Sequence, residues 1–301
     1  MRQKLIRCLS LAITVAVVCL GTGAIASNNQ TLNSRQVSER VSLIAVADLK
    51  IHTFHGVSNS HIIETPNELR LIDAQMMLTD AKELKSYISS LGKPLKQVIL
   101  SHNHPDHWFG AEVFAADTPI VTSQNIADDL KSGGMRYIKV MQKKLKDNMP
   151  DKVIVPSGEI TTGKHNWDGV DVIVEEYPEQ ESHNSLVIKV PAYGIMIGQD
   201  LFYNGNFLVA SERSRNKTWQ QNLESFQANE AKFYKTFLVG HGKNGGPEIL
   251  TQDIEYLKTL EVIMGKGLSQ EETTKMLIET FPHKDGRKML AISMRNLFNA
   301  H

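Results

Sequence analysis

A short apolar run, Gln97-Val98-Ile99-Leu100, leads straight into Ser101-His102-Asn103-His104-Pro105-Asp106-His107-Trp108-Phe109-Gly110. Four potential metal ligands, His102, His104, Asp106 and His107, fall within six residues. The run before them reads as a short buried strand. The chain must therefore bury a strand end that carries four ligands. His102 and His104 are alternate residues of an extended segment, so both can face one ion. Asp106 and His107 follow the turn at Pro105 and can face a second ion close by. Imidazole with carboxylate suits zinc, and also iron or manganese. Four ligands crowded this way serve one tetrahedral ion poorly and suit a pair of ions sharing a water.

The first 26 residues read as an address. Met1 to Arg7 carries Arg2, Lys4 and Arg7 and no acid, and an apolar run follows from Leu9 to Leu20. That run is short for a membrane span and right for a signal-peptide core. Ala24-Ile25-Ala26 is a small-x-small cleavage site, so the mature chain is expected to start at Ser27, without stable membrane insertion, in the periplasm or outside the cell. Cys8 and Cys19 are the only cysteines and leave with this segment, so no thiolate can act as ligand or nucleophile. The whole chain has 33 basic and 33 acidic residues; after cleavage 30 face 33, a net charge of −3. That balance argues against a nucleic-acid partner; the expected partner is a small-molecule substrate.

The rest reads as one α/β domain. Residues 27–47 form a linker, polar and unpatterned from Ser27 to Arg40, and the domain proper spans 48–250. Strand-like runs are Leu43–Phe54, His61–Glu64, Leu69–Ile72, Pro119–Val121, Val153–Val155, Val170–Glu175, Ser185–Val190, Gly194–Ile197 and Phe237–Val239. Helical spacing covers Thr79–Leu91, with Thr79 or Asp80 as cap, then Asn125–Lys146 and Thr218–Lys235. Gly133-Gly134 weakens the second helix, which can be either a flap or a rigid packed element. Residues 251–301 are helical and read as an extension packed on the domain. Strands that meander and then alternate with helices suit sheet layers faced by helices.

The string His102-x-His104-x-Asp106-His107 resembles the first motif of the metallo-β-lactamase superfamily. Later residues follow the family order: Asp73 after Leu69–Ile72, His183 before Ser185-Leu186, Asp200 after Ile197-Gly198-Gln199, and His241 in Val239-Gly240-His241-Gly242. The resemblance implies a four-layer αββα sandwich with a metal site along one sheet edge, and a C-terminal helical extension here. It implies a first zinc on His102, His104 and His183, a second on Asp106, His107 and His241, Asp200 as bridge, and Asp73 in support. Asn184-Ser185 after His183 departs from the Thr and Gly-rich turn of many members, which weakens any close match to the glyoxalase II or quorum-lactonase branches.

Two cations would supply a hydroxide near neutral pH for attack on a carbonyl or phosphoryl centre. Asp106 is the expected catalytic side chain, holding the nucleophile or taking up a proton. No G-x-S-x-G elbow is present. The reading is an exported zinc hydrolase of an ester, lactone, thioester or similar bond. The alternatives are a β-lactamase, an iron-bearing sulfur dioxygenase, and a non-catalytic metal-binding or sensing protein. His52, His55 and His61 are either rim residues or hydrogen-bonded structural ones, and Tyr193, Tyr203 and Trp219 either line a pocket or pack in the core.

Overall fold

The structure, a computed structural model, describes residues 33–299. The expected signal peptide lies outside them. The first sheet holds eight strands in chain order: β1 (Asn33–Ser38), β2 (Val41–Val46), β3 (Leu49–His55), β4 (Asn59–Glu64), β5 (Leu69–Ile72), β6 (Leu95–Ile99), β7 (Ile120–Thr122) and β8 (Gly158–Glu159). Its first half is an antiparallel meander, and β5 to β8 are parallel. The parallel part needs crossovers, supplied by α1 (Leu78–Ser90), the short α2 (Pro105–Trp108) and α3 (Gln124–Leu145). The second sheet has the order β13-β12-β11-β10-β9, with β9 (Gly163–Trp167), β10 (Val170–Pro178), β11 (Asn184–Val190), β12 (Ile195–Asn204) and β13 (Thr236–Gly242). α4 (Arg213–Asn229) links the parallel pair β12 and β13, and α5 (Glu248–Met264), α6 (Gln270–Thr280) and α7 (Arg287–Asn299) close the chain.

Strand periodicity explains the layers. Leu186, Ile188, Ile195, Ile197 and Leu238 face the first sheet, in one core with Ile62, Leu71, Val98 and Ile99. Their alternates Val187, Met196, Phe237 and Val239 point the other way, into a second core with α4 to α7. α1 seals the first sheet with Ala81, Leu84 and Ile88. The result is an αββα sandwich. The C-terminal helices share the second core, with Tyr256, Leu257, Leu277 and Leu290 buried in it. No described helix is long and apolar enough to cross a membrane.

Several local expectations change. Residues 33–46, read as linker, are β1 and β2; β1 is exposed throughout, so no buried stripe marks it, but its backbone pairs along β2. α1 is preceded by Met77, without the side-chain cap expected of Thr79 or Asp80. Val153–Val155 is not a strand. α4 starts five residues before the expected Thr218, in a polar stretch where the pattern is weak. α3 runs unbroken through Gly133-Gly134. A Cβ on Gly134 would lie 2.9 Å from Val153 Cγ2 and 3.4 Å from Trp108 Cζ2, so that glycine allows a close contact with the segment after the histidine string. Trp219 packs in the core, and Tyr193 bonds to Asp48 at the surface.

Candidate metal centre

The donor side chains arrive from strand ends and the turns after them. β6 ends at Ile99, and Leu100 N–H still bonds to Val121 O, so the strand path carries on to His102. His104 is extended and precedes α2; Pro105 starts that helix with its fixed φ. One helical turn then presents Asp106 and His107. Asp200 comes from β12 and His241 from β13, its parallel neighbour. The two approach because residue 240 is glycine: a Cβ there would fall 1.8 Å from Asp200 Oδ1.

These residues form two donor groups whose ligand atoms all lie within 4.8 Å of one another. The first is His102, His104, Glu181 and Asp200, and the second Asp106, His107, Asp200 and His241. Asp200 belongs to both. Its Oδ1 is 3.1 Å from His107 Nε2, and its Oδ2 is 3.2 Å from His241 Nε2 and 3.8 Å from His102 Nε2. Asp106 Oδ2 is 3.2 Å from His241 Nε2, and Glu181 Oε2 is 2.8 Å from His104 Nδ1.

The donor chemistry fits a pair of cations. His102 Nε2, His107 Nε2, Glu181 Oε2 and Asp200 Oδ1 are buried with no hydrogen-bond partner, which is costly unless something else satisfies them. Burial opposes charge on His107, yet Asp200, Asp106 and Asp73 hold its pKa well above the usual range. Burial likewise opposes charge on His241, and Asp200 and Asp106 lift it to about 10. His102 goes the other way, lowered well below its usual value by burial and by His107. Burial pushes Asp200 up, but His107 and His241 outweigh it and hold the carboxyl well below the usual range. Burial raises the Glu181 carboxyl. So much opposed charge in a dry site is the environment that bound cations stabilise.

The metallo-β-lactamase superfamily profile matches residues 54–241, more than half of the chain. The chain belongs to the metallo-β-lactamase superfamily. Superfamily members bind metal ions and are mostly hydrolases. Among solved structures, a sec-alkylsulfatase from Pseudomonas sp. matches with TM-score 0.60 at 16% identity, covering 90% of this chain; this chain spans half of that enzyme's length. TMB-1 matches with TM-score 0.53 at 17% identity, over 76% of this chain and 98% of its own. A metallo-β-lactamase from Pontibacter korlensis matches with TM-score 0.50 at 22% identity, over 76% of this chain and 99% of its own. These likenesses concern the fold. No curated protein sequence matches significantly.

Within this superfamily frame one expected residue is out of place. His183 is not brought to the cluster. Its side chain is 56% exposed and meets Glu179 Oε1 at 3.4 Å and Arg215 Nη2 at 3.0 Å. Glu181, two residues earlier, is buried and occupies that corner of the first donor group. The cause is the 179–183 turn, closed by Glu179 N–H to His183 O and Gln180 N–H to Ser182 O. It points Glu181 inward and leaves His183 to the rim. Glu181 carries no sequence signal beyond its nearness to that histidine.

Other side chains hold the donors in place. Asp73 accepts from Ser101 N–H and Oγ–H, His107 Nδ1–H and Gln199 Nε2. Asp73 and Gln199 both sit at positive φ, 59° and 47°, a strain that clusters at functional sites. Tyr203 O–H donates to Asp200 Oδ2 at 3.1 Å, and its ring stacks on His241. His241 Nδ1 lies 3.1 Å from Val57 O. Of the early histidines, His61 is fully buried between Thr53 and the Val239 carbonyl, His52 pairs with Glu64, and His55 bonds to Ser42 and Asn59. All three are structural.

Proposed function

We propose that the chain is a binuclear metal-dependent hydrolase, with zinc as the metal, acting outside the cytosol on ester-type bonds of a small molecule. The observation that carries this reading is Asp200, shared by two four-residue donor groups in each of which three side chains are buried and one is partly exposed. His102, His104 and Glu181 would hold one ion, Asp106, His107 and His241 the other, and Asp200 both. The ions would supply a hydroxide at neutral pH and polarise the bond under attack. Asp106, on the rim of the second group with its side chain 18% exposed, is placed to hold the attacking group in line or to accept its proton. Asp73 orients His107, and Tyr203 orients Asp200. The solved neighbours include a metallo-β-lactamase and a sec-alkylsulfatase, so β-lactams and sulfate esters join carboxylic esters, lactones and thioesters in the substrate panel.

Elemental analysis of residues 27–301, purified without added metal or an affinity tag, tests the reading. About two zinc ions per chain with turnover of one panel member is the expected result. One iron per chain with sulfur oxidation would replace it with the dioxygenase reading. No metal, even after zinc is offered, would overturn it.

A further inference from the structure

β12 and β13 run parallel, but not residue for residue. Gln199 pairs with Val239 and Tyr203 with His241, so three residues of β12 stand opposite one of β13, Gly240. On its other side β12 pairs with β11 only from Ile195 to Ile197. Asp200, Leu201 and Phe202 therefore bulge out of the ladder. A bulge re-aims a side chain and leaves backbone groups to find partners outside the sheet. The side chain re-aimed here is Asp200, the one shared by both donor groups.

The backbone of the bulge is held by the helices packed on the second sheet. Trp219 Nε1–H of α4 donates to Leu201 O at 2.9 Å. Asp253 Oδ2 of α5 accepts from Tyr203 N–H at 2.8 Å. Both side chains are fully buried. The two bonds grip the chain one and three residues after Asp200. Tyr203 passes the grip on: its hydroxyl donates to Asp200 Oδ2 at 3.1 Å, and its ring lies 6.0 Å from that of Trp219. Phe202 folds back on its own strand. A Cβ on residue 198 would fall 2.2 Å from its ring, so only glycine leaves room there.

Asp253 is costly where it stands. Leu250, Ile254 and Leu257 of the same helix are buried in the second core. A carboxyl in such surroundings lowers stability unless its oxygens are bonded. Oδ1 has no partner, and the bond that Oδ2 makes is the one to Tyr203. Packing alone would be served better by leucine. What the carboxyl adds is a hold on the bulge.

We propose, resting on the binuclear metal reading, that Asp253 and Trp219 are positioning residues for the bridging donor Asp200. The C-terminal extension, which carries Asp253, is then part of the frame of the metal centre and not only a cover on the domain. Because Asp200 serves both donor groups, the two side chains act on both ions at once.

The test uses the zinc-loaded chain. Affinity for each of the two ions is measured by chelator competition in wild type, Asp253→Leu, Asp253→Asn and Trp219→Phe. Cobalt(II) then replaces zinc, and its visible absorption reports the donor geometry. Circular dichroism checks that each variant is folded. Asp253→Leu fills the space without an acceptor, and Trp219→Phe keeps a ring without the donor. Each should weaken both ions by about ten-fold and shift the cobalt spectrum. Asp253→Asn keeps an acceptor oxygen and should hold both affinities within about three-fold of wild type. A general packing defect would give neither that rescue nor a paired loss on the two ions. Unchanged affinities and cobalt spectrum in folded Trp219→Phe or Asp253→Leu would overturn the proposal. So would a loss confined to one ion, or an equal loss in Asp253→Asn and Asp253→Leu. Trp219→Phe decides alone if Asp253→Leu does not fold. Wild type that binds no metal would sink the hydrolase reading and the proposal with it; wild type with two ions, matched by its variants, would sink the proposal alone.

Discussion

Asp73 Oδ2 accepts a hydrogen bond from His107 Nδ1 at 2.6 Å, with both side chains fully buried. The contact keeps the proton on Nδ1 and turns Nε2 toward Asp200 and Asp106. A carboxylate behind an imidazole fixes its tautomer and raises its basicity as a donor. Asp73→Ala should therefore lower affinity for one of two zinc ions by about 10–100-fold, with the Asp106 and His241 side chains still in place. Chelator competition measures it; unchanged affinity would mean that packing alone orients His107.

Glu181 and His183 compete for one role. Glu181→Ala should cut zinc from about two ions per chain to about one and remove most activity. His183→Ala should keep both ions, because its imidazole faces Glu179 and Arg215 at the rim. The reverse pattern would restore His183 as a donor.

His61 makes stability fall in acid. Burial pushes its pKa from 6.5 to about 3 in the folded chain. Between those values the unfolded chain binds a proton that the folded one refuses. Stability is thus full above about 6.5 and is lost as pH falls toward 3, by on the order of 5 kcal/mol for this group. His61→Gln, titrated by denaturant unfolding between pH 7 and 4, should show a shallower acid slope than wild type, whatever its stability at pH 7.

Asp253 works in the opposite direction. Burial lifts its carboxyl to about 8, with one oxygen accepting from Tyr203 N–H and the other unpartnered. The raised value means that the folded chain holds the extra proton, so stability is lost as pH rises from about 4 through 8. Asp253→Asn copies the neutral acid. It should raise Tm relative to wild type at pH 8–9 and flatten the Tm–pH curve there; a lower Tm at that pH would refute the buried neutral carboxyl.

Much of the centre was legible because its chemistry is local. His102, His104, Asp106 and His107 sit in one strand-turn-helix segment whose spacing brings them together in any compact fold. Asp73, Asp200 and His241 were readable as polar residues at the ends of apolar runs, once the family order was in view. The two-sheet architecture followed from runs such as Ser185–Val190, where alternate residues feed two different cores. β1 left no trace in the pattern, because an exposed edge strand is specified by its partner's backbone rather than by its own side chains.

The sequence by itself determined which chemistry is at hand: imidazoles and carboxylates, no thiolate after residue 19, and an order of motifs that names the superfamily. Only the tertiary structure decided which carboxylate or imidazole completes each donor group. Glu181 and His183 are two residues apart in one turn, and no periodicity separates them. The choice is made by contacts far away in sequence, Arg215 on α4 capturing His183 and His104 receiving Glu181. Burial and charge neutralisation are properties of the assembled site, so the turn's inward side chain is settled when the sheets and α4 close around it.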